Sequence, residues 1–249
     1  MIKYDLHTHT IFSDGKNTPE EMIACAEKTG MDILGISDHE YAPMQTDFCI
    51  NKSETKKYID TINDLKEKSK IKLYLGTERD YFSLKSEYKY DYVIGSVHSI
   101  FKNGEYIDVD HSEKSMVENV LRLYDGDYME YIKDYYALVK DTPDKTNCNI
   151  LGHFDLVCKF NENNKFFDET SDDYKMIVLD AAESIADKCE FIEINTGGMH
   201  RGYRTRPYPD DFIIDYFKKK KINLVLSSDS HSTNTLCYQF ENIKKYVDK

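Results

Sequence analysis

His7-Thr8-His9 and Asp229-Ser230-His231 each place two metal-binding side chains two residues apart. On a strand, residues i and i+2 share a face, so His7 and His9 can converge on one point, and so can Asp229 and His231. Asp38-His39, Glu78, His98 and His153 extend the set to six of the chain's eight histidines. A single histidine near a strand end is ordinarily structural. Two paired motifs, three more histidines and a glutamate, each at a separate strand end, form a pattern that chance does not readily produce. With Asp14, nine groups are candidate ligands: His7, His9, Asp14, His39, Glu78, His98, His153, Asp229 and His231.

Imidazole and carboxylate without thiolate suit Zn²⁺, Mn²⁺ or Fe²⁺ rather than Ca²⁺ or Mg²⁺ alone. At roughly three or four protein ligands per ion, nine groups serve two to three divalent ions. Such a centre is strongly positive. It attracts an anion, of which a phosphate ester is the obvious case, and it lowers the pKa of water.

The ligands need a scaffold that brings many strand ends together. β-type runs occur at Lys3–His7, Ile33–Ser37, Lys72–Thr77, Tyr92–Val97, Asn149–His153, Phe191–Asn195 and Asn223–Ser228, separated by helical patterns. Alternation of strand and helix predicts a parallel sheet, and seven such strands suit a barrel of α/β class whose active site lies at the C-terminal strand ends. Thr18-Pro19-Glu20-Glu21 reads as a capping box with proline at the first helical position, and Gly30 stops that helix. Ser53 and Ser171 are expected caps of two further helices, the first with Tyr58, Ile62 and Leu65 inward, the second with Ile177, Ala181 and Ile185. Tyr124, Tyr128, Tyr131 and Tyr135 recur at helical spacing as a core-facing stripe. Lys218–Lys221 reads as a solvated helix end that suits the helix dipole.

After the sixth strand comes Asn195-Thr196-Gly197-Gly198-Met199-His200-Arg201-Gly202-Tyr203-Arg204-Thr205-Arg206. Arginines at the catalytic face of an acidic protein invite a phosphate-binding role. Arg201 and Arg204, with Asn195, are expected substrate contacts, Arg206 less so. Lys159, shortly after the fifth strand, is a further one. His111 and His200 read as solvated loop residues. Asp110, Asp155 and Glu105 are candidates for holding a cationic amine.

The 249 residues fit one domain spanning 1–249, and Lys plus Arg at 33 against Asp plus Glu at 45 leave a net charge of −12. That balance argues against nonspecific contact with nucleic acid or anionic membrane. No run of about 18 apolar residues is present. The start, Met1-Ile2-Lys3-Tyr4-Asp5, turns acidic at once and does not read as a secretory signal. The six cysteines, Cys25, Cys49, Cys148, Cys158, Cys189 and Cys237, form no C-x-x-C pair and are expected as reduced, mostly buried thiols of a cytoplasmic protein. Nothing in the composition bears on oligomeric state.

The full ligand set, spread across seven strands, resembles the PHP (polymerase and histidinol phosphatase) superfamily over nearly the whole chain. Within it, Gly95-Ser96-Val97-His98, Leu151-Gly152-His153-Phe154-Asp155-Leu156-Val157 and Glu193-Ile194-Asn195-Thr196-Gly197-Gly198 look like stand-alone histidinol phosphatases. So do the insert with Tyr106-Ile107-Asp108-Val109-Asp110 and the Tyr208-Pro209 step. The resemblance implies a distorted seven-stranded (β/α)7 TIM-like barrel with a di- or trinuclear centre. Carried over, His7, His9, Glu78 and Asp229 hold one metal. Glu78 bridges to a second, held with His98 and His153. His39 and His231 hold a third, with Asp14 at a first-loop position where the family uses His or Asp.

The implied reaction is metal-dependent hydrolysis of a phosphomonoester, most simply L-histidinol phosphate in histidine biosynthesis. Glu78, Asp229 and His231 stand at its centre, with Asp229 or a metal-bound water supplying the leaving-group proton. No Cys-x5-Arg loop or G-x-S-x-G elbow is present. Competing readings are another PHP phosphoesterase acting on nucleotides, nucleic acid ends or phosphotyrosine, a non-catalytic metal-binding module, and an amidohydrolase-type C–N hydrolase. The acidic charge weighs against nucleic acid, the complete ligand set against a passive module, and His231 with Glu78, without an obvious bridging lysine, against the amidohydrolase.

Overall fold

A computed structural model describes residues 3–84 and 86–247. The N-terminal reading at Met1 and Ile2, and the last two residues of the expected domain, lie outside the described residues.

Seven parallel strands run in the order β1 (Tyr4–Asp5), β2 (Ile33–Ile36), β3 (Lys72–Asp80), β4 (Tyr92–Ser96), β7 (Ile150–Leu151), β8 (Phe191–Asn195), β9 (Leu224–Ser227). Between β4 and β7 the chain makes an antiparallel hairpin, β5 (Ser99–Lys102) with β6 (Glu105–Asp108). The first and last strands nearly close the sheet into a barrel. The Thr8–Ser230 bridge joins them at the C-terminal end. Lower down, the buried Asp5 carboxylate accepts from the Ser228 and Cys237 amides at 3.1 and 2.9 Å.

The strand ends are where expected, with three differences. β1 and β7 are only two residues long, and His7, His9 and His153 follow them outside the ladder. β3 runs on past Glu78 to Asp80. No helix is described between β3 and β4, which breaks the alternation there.

The outer layer contains α1 (Pro19–Lys28), α2 (Thr55–Lys66), α3 (Glu113–Leu123), α4 (Tyr128–Thr146), α5 (Asp172–Ile185), the single turn α6 (Gly197–His200), α7 (Asp211–Lys219) and α8 (Phe240–Ile243). Thr18 forms the capping box with Glu21, and Ser171 caps α5 by accepting from the Tyr174 amide. Ser53 does not cap α2. Its hydroxyl donates to Asn51, and the helix starts after Glu54. Tyr131 and Tyr135 of α4 are buried in the main core, but Tyr124 belongs to the end of α3, so the stripe bends between two helices. Every cysteine is a free thiol. Cys49, Cys148 and Cys158 are buried and the other three half-buried. No helix among the described residues is long and apolar enough to cross a membrane.

Candidate metal centre

Glu78 stands at the middle of the strand ends with 1% of its surface exposed. Its two oxygens face different histidines. Oε2 lies 3.0 Å from His7 Nε2, 2.9 Å from His39 Nδ1 and 3.5 Å from His9 Nε2. Oε1 lies 2.9 Å from His153 Nε2 and 3.3 Å from His98 Nε2. On the β9 side, Asp229 Oδ1 is 3.4 Å from His9 Nε2 and 3.5 Å from His231 Nδ1. Asp14 closes the other side, with Oδ2 3.1 Å from His231 Nε2 and Oδ1 3.7 Å from His39 Nε2.

Three clusters bring ligand atoms within 4.8 Å of one another: His7, His9 and Asp229; His39, Glu78 and His98; and His9, Asp14, His39 and His231. All nine expected ligands therefore meet at one end of the barrel. Their division differs from the one carried over. His39 groups with Glu78 and His98 as well as with Asp14, His9 is shared by two clusters, and His153 reaches the centre through Glu78 rather than through a cluster of its own.

These residues fit divalent ions. His7 Nε2, both ring nitrogens of His9 and Glu78 Oε2 are buried and make no well-formed hydrogen bond among the described residues. Lone pairs crowded at 3–4 Å without hydrogen-bond geometry are costly in a dry interior unless a cation sits between them. Burial, then the neighbouring His231 and His39, pull His9 down to about 3, so it is a neutral imidazole ready to ligate. Burial alone would raise the carboxyl of Glu78, but the adjoining imidazoles of His7, His39 and His98 hold it well below its usual range. The Arg201 guanidinium does the same for Asp229 against its burial.

A second layer orients the ligands. His7 Nδ1 meets Glu193 Oε1 at 2.5 Å, and the carboxylate can only accept, so the ring proton is on Nδ1 and the Nε2 lone pair faces inward. The other Glu193 oxygen accepts from the His153 amide at 2.6 Å and from Asn195 Nδ2 at 2.9 Å. Asp80 plays a similar part at His98, 3.2 Å from Nδ1. Asp38 accepts from the Thr10 amide at 2.7 Å and the Ser13 hydroxyl at 2.6 Å, and so pins the loop that carries Asp14. Buried acids at a strand end are the only signal for these roles, and Glu193, Asp80 and Asp38 share it with structural acids.

The metal ligands open into a cavity of about 240 Å³ also lined by Gln45, Phe48, Asp108, Asp110, Lys159, Arg201 and Tyr208. Of the expected substrate contacts, Arg201 and Lys159 are on its wall. Arg201 Nη1 donates to Asp229 Oδ2 at 3.1 Å and Nη2 lies 2.8 Å from His231 Nδ1. A side chain at Gly197 would place its Cβ 2.6 Å from Arg201 Nη1, so glycine is what admits the guanidinium. Lys159 Nζ donates to the Asp110 carbonyl at 2.7 Å.

The other two expected contacts lie elsewhere. Arg204 is buried away from the cavity, donating to both Glu169 oxygens at 2.9 Å and to the Cys158 carbonyl at 2.8 Å. Burial of its guanidinium demands that carboxylate partner, and Arg206 joins the same Glu169. Asn195 is buried as a strut, passing from Glu193 to the Gly197 amide at 2.7 Å. His111, expected in solvent, is exposed yet lines the cavity rim, whereas His200 does not. Asp108 and Asp110 bring two carboxylates to the wall, while Glu105 pairs with Arg122 and Asp155 accepts from the Asp210 amide.

The PHP domain model matches residues 5–197. A Bacillus subtilis protein named histidinol-phosphatase is 25% identical over 97% of this chain and 98% of its own length. A Schizosaccharomyces pombe protein assigned the same activity is 25% identical over 77% of this chain. That alignment spans only 65% of the yeast protein. Among solved structures, a Listeria monocytogenes protein assigned as a histidinol phosphatase superposes with a TM-score of 0.81 at 22% identity, covering 97% of this chain and all of that one. A Lactococcus lactis histidinol phosphate phosphatase, solved with zinc, L-histidinol and phosphate, gives a TM-score of 0.69 at 22% identity over 98% and 92% of the two chains.

Proposed function

Because the chain belongs to the PHP domain family, we propose that it is a metal-dependent phosphomonoesterase that hydrolyses L-histidinol phosphate to L-histidinol and phosphate. The observation that carries this reading is Glu78, whose two oxygens are shared among five imidazoles at the floor of a cavity walled by Lys159 and Arg201. The names of the full-length Bacillus relative and of the Lactococcus structure with its bound L-histidinol support the choice of ester.

The ligands are those of two to three divalent transition-metal ions: zinc, manganese or iron. When bound, such ions supply Lewis acidity toward water and the phosphoryl oxygens. The chain's own groups do the rest. Glu78 and Asp229, held ionised, keep the centre anionic enough to retain cations. Arg201 presents its fork beside Asp229 and His231, where it stabilises charge on a phosphoryl oxygen. Lys159, on the cavity wall beside Asp110, adds a second positive charge. With Asp229 held ionised by Arg201, its carboxylate accepts a proton more readily than it delivers one. Asp108 and Asp110 suit the cationic end of the substrate. The free thiols fit a reducing compartment, the cytoplasm.

The test is a side-by-side kcat/KM comparison with Mn²⁺ present. L-histidinol phosphate is expected to exceed p-nitrophenyl phosphate and a nucleoside monophosphate by at least about 100-fold, the equivalent of two lost polar contacts. Equal rates would make the protein a generalist phosphoesterase, and preference for phosphotyrosine peptides would make it a protein phosphatase.

A further inference from the structure

Among the donors on the cavity wall, three are already engaged. Lys159 Nζ donates to Asp110, Arg201 to Asp229, and Gln45 Nε2 to the Ser99 hydroxyl at 3.0 Å. Tyr208 differs. Its side chain lines the same cavity, is 98% buried, and its hydroxyl has no hydrogen-bond partner among the described residues. A phenol hydroxyl left unpaired in a protein interior costs free energy unless something enters to meet it.

The backbone holds Tyr208 in place. Its amide and carbonyl pair with Asn195 at 2.9 and 2.7 Å, anchoring it to the end of β8. The ring then passes over Gly198, where an added Cβ would be 2.7 Å from the hydroxyl. Gly198 also lines the cavity, and the lack of a side chain there leaves room for the hydroxyl against it. After burial, the charges that act on the phenol are those of Arg204, then Asp155, then Arg201, so the hydroxyl lies between the buried Arg204 and the Arg201 of the cavity wall. Burial holds the phenol well above its usual range, so it remains a neutral donor through the working pH range.

We propose that the Tyr208 hydroxyl is a catalytic residue that donates a hydrogen bond to a phosphoryl oxygen of the bound ester. This rests on the phosphomonoesterase reading above. It assigns the hydroxyl to the part of the substrate that every phosphate ester shares, not to the amine or imidazole.

The experiment compares metal-loaded wild type with Tyr208→Phe and, as a second variant, Gly198→Ala, which pushes on the hydroxyl without removing it. Three quantities are read: kcat/KM for L-histidinol phosphate and p-nitrophenyl phosphate, calorimetric binding of inorganic phosphate, and Tm with metal content. Tyr208→Phe is expected to lower kcat/KM about 10- to 30-fold for both esters alike and to weaken phosphate binding about 10-fold, as for one lost hydrogen bond to a charged group. Metal content stays at the wild-type value and Tm does not fall, because the hydroxyl removed has no partner among the described residues; the loss of phosphate binding is what a merely structural tyrosine would not show. Gly198→Ala weakens phosphate binding in the same direction. Kinetics and phosphate binding within twofold of wild type would overturn the assignment, as would a lowered Tm with phosphate binding unchanged. If wild type turns over neither ester, the phosphoesterase reading fails by itself, and phosphate binding still decides the role of Tyr208.

Discussion

His7 Nδ1 and Glu193 Oε1 lie 2.5 Å apart, and both side chains are fully buried. His7 follows β1 and Glu193 lies in β8, and the contact converts a flexible ring into one with a fixed tautomer and a fixed direction. Glu193 also accepts from the His153 amide, so one carboxylate sets two of the ligands.

Glu193→Gln is therefore expected to weaken metal binding although residue 193 is not itself a ligand. Outer-layer partners of this kind are worth about 10- to 100-fold in affinity. Competition with a chelator of known affinity measures it. A variant with wild-type affinity would mean that the ring is oriented by packing alone.

Metal removal should abolish activity and leave the barrel standing, since strand-end ligands lie outside the packed layers of the sheet. Chelation followed by Mn²⁺ or Zn²⁺ should restore turnover, with circular dichroism unchanged throughout. His7→Ala should lose metal and activity together. Elemental analysis is expected to find two to three ions per chain. Less than one after reconstitution would sink the multinuclear centre.

The two arginines of one loop should separate cleanly. Arg201→Ala is expected to lower kcat/KM about 10- to 150-fold, and Arg201→Lys should not fully restore it, because lysine lacks the planar fork. Arg204→Ala should instead destabilise the fold by about 3–5 kcal/mol, leaving Glu169 buried without its main partner. Thermal unfolding beside steady-state kinetics distinguishes them. A wild-type Tm in Arg204→Ala would contradict the structural role.

Lys159 carries a pH signature. Burial would raise the Asp110 carboxyl, but Lys159 and then His98 hold it below its usual range. A depressed acid stabilises the fold above its unfolded value, near 3.9, and loses that contribution as pH falls through the folded value. Lys159→Met should thus lower Tm at pH 6, and the gap to wild type should shrink at pH 3. An equal gap at both values would show that the pair contributes nothing through charge.

The ligands were legible because they obey strand periodicity. His7 with His9, and Asp229 with His231, need only a two-residue repeat and a strand that ends, and both are visible locally. What was not legible depends on which way a loop turns. Arg201 and Arg204 are three residues apart with the same chemistry, yet a single turn of helix sends one to Asp229 and the other to Glu169. Asn195 reads as a polar group at a catalytic strand end, but β8 points it beneath the site toward Glu193. The β5–β6 hairpin does carry a local signal, the Asn103-Gly104 pair that makes its two-residue turn, but from sequence this stretch is read above as an insert without strands. Ser53 has the right residue type for a cap, but Asn51 captures its hydroxyl first.

Closure of the barrel between β1 and β9 has a consequence for the order of assembly during synthesis. His7 and His9 leave the ribosome first, and their cluster partners Asp229 and His231 come more than two hundred residues later. A growing chain that has reached β8 already holds Glu78, His98 and Glu193, but the cluster of His7, His9 and Asp229 cannot yet exist. Contacts of such long sequence separation form late, because the loop they close must first be ordered. Completion of that cluster therefore waits for residue 229, and a nascent or truncated chain that stops short of it exposes a half-built cage of histidines to whatever cation the surroundings offer.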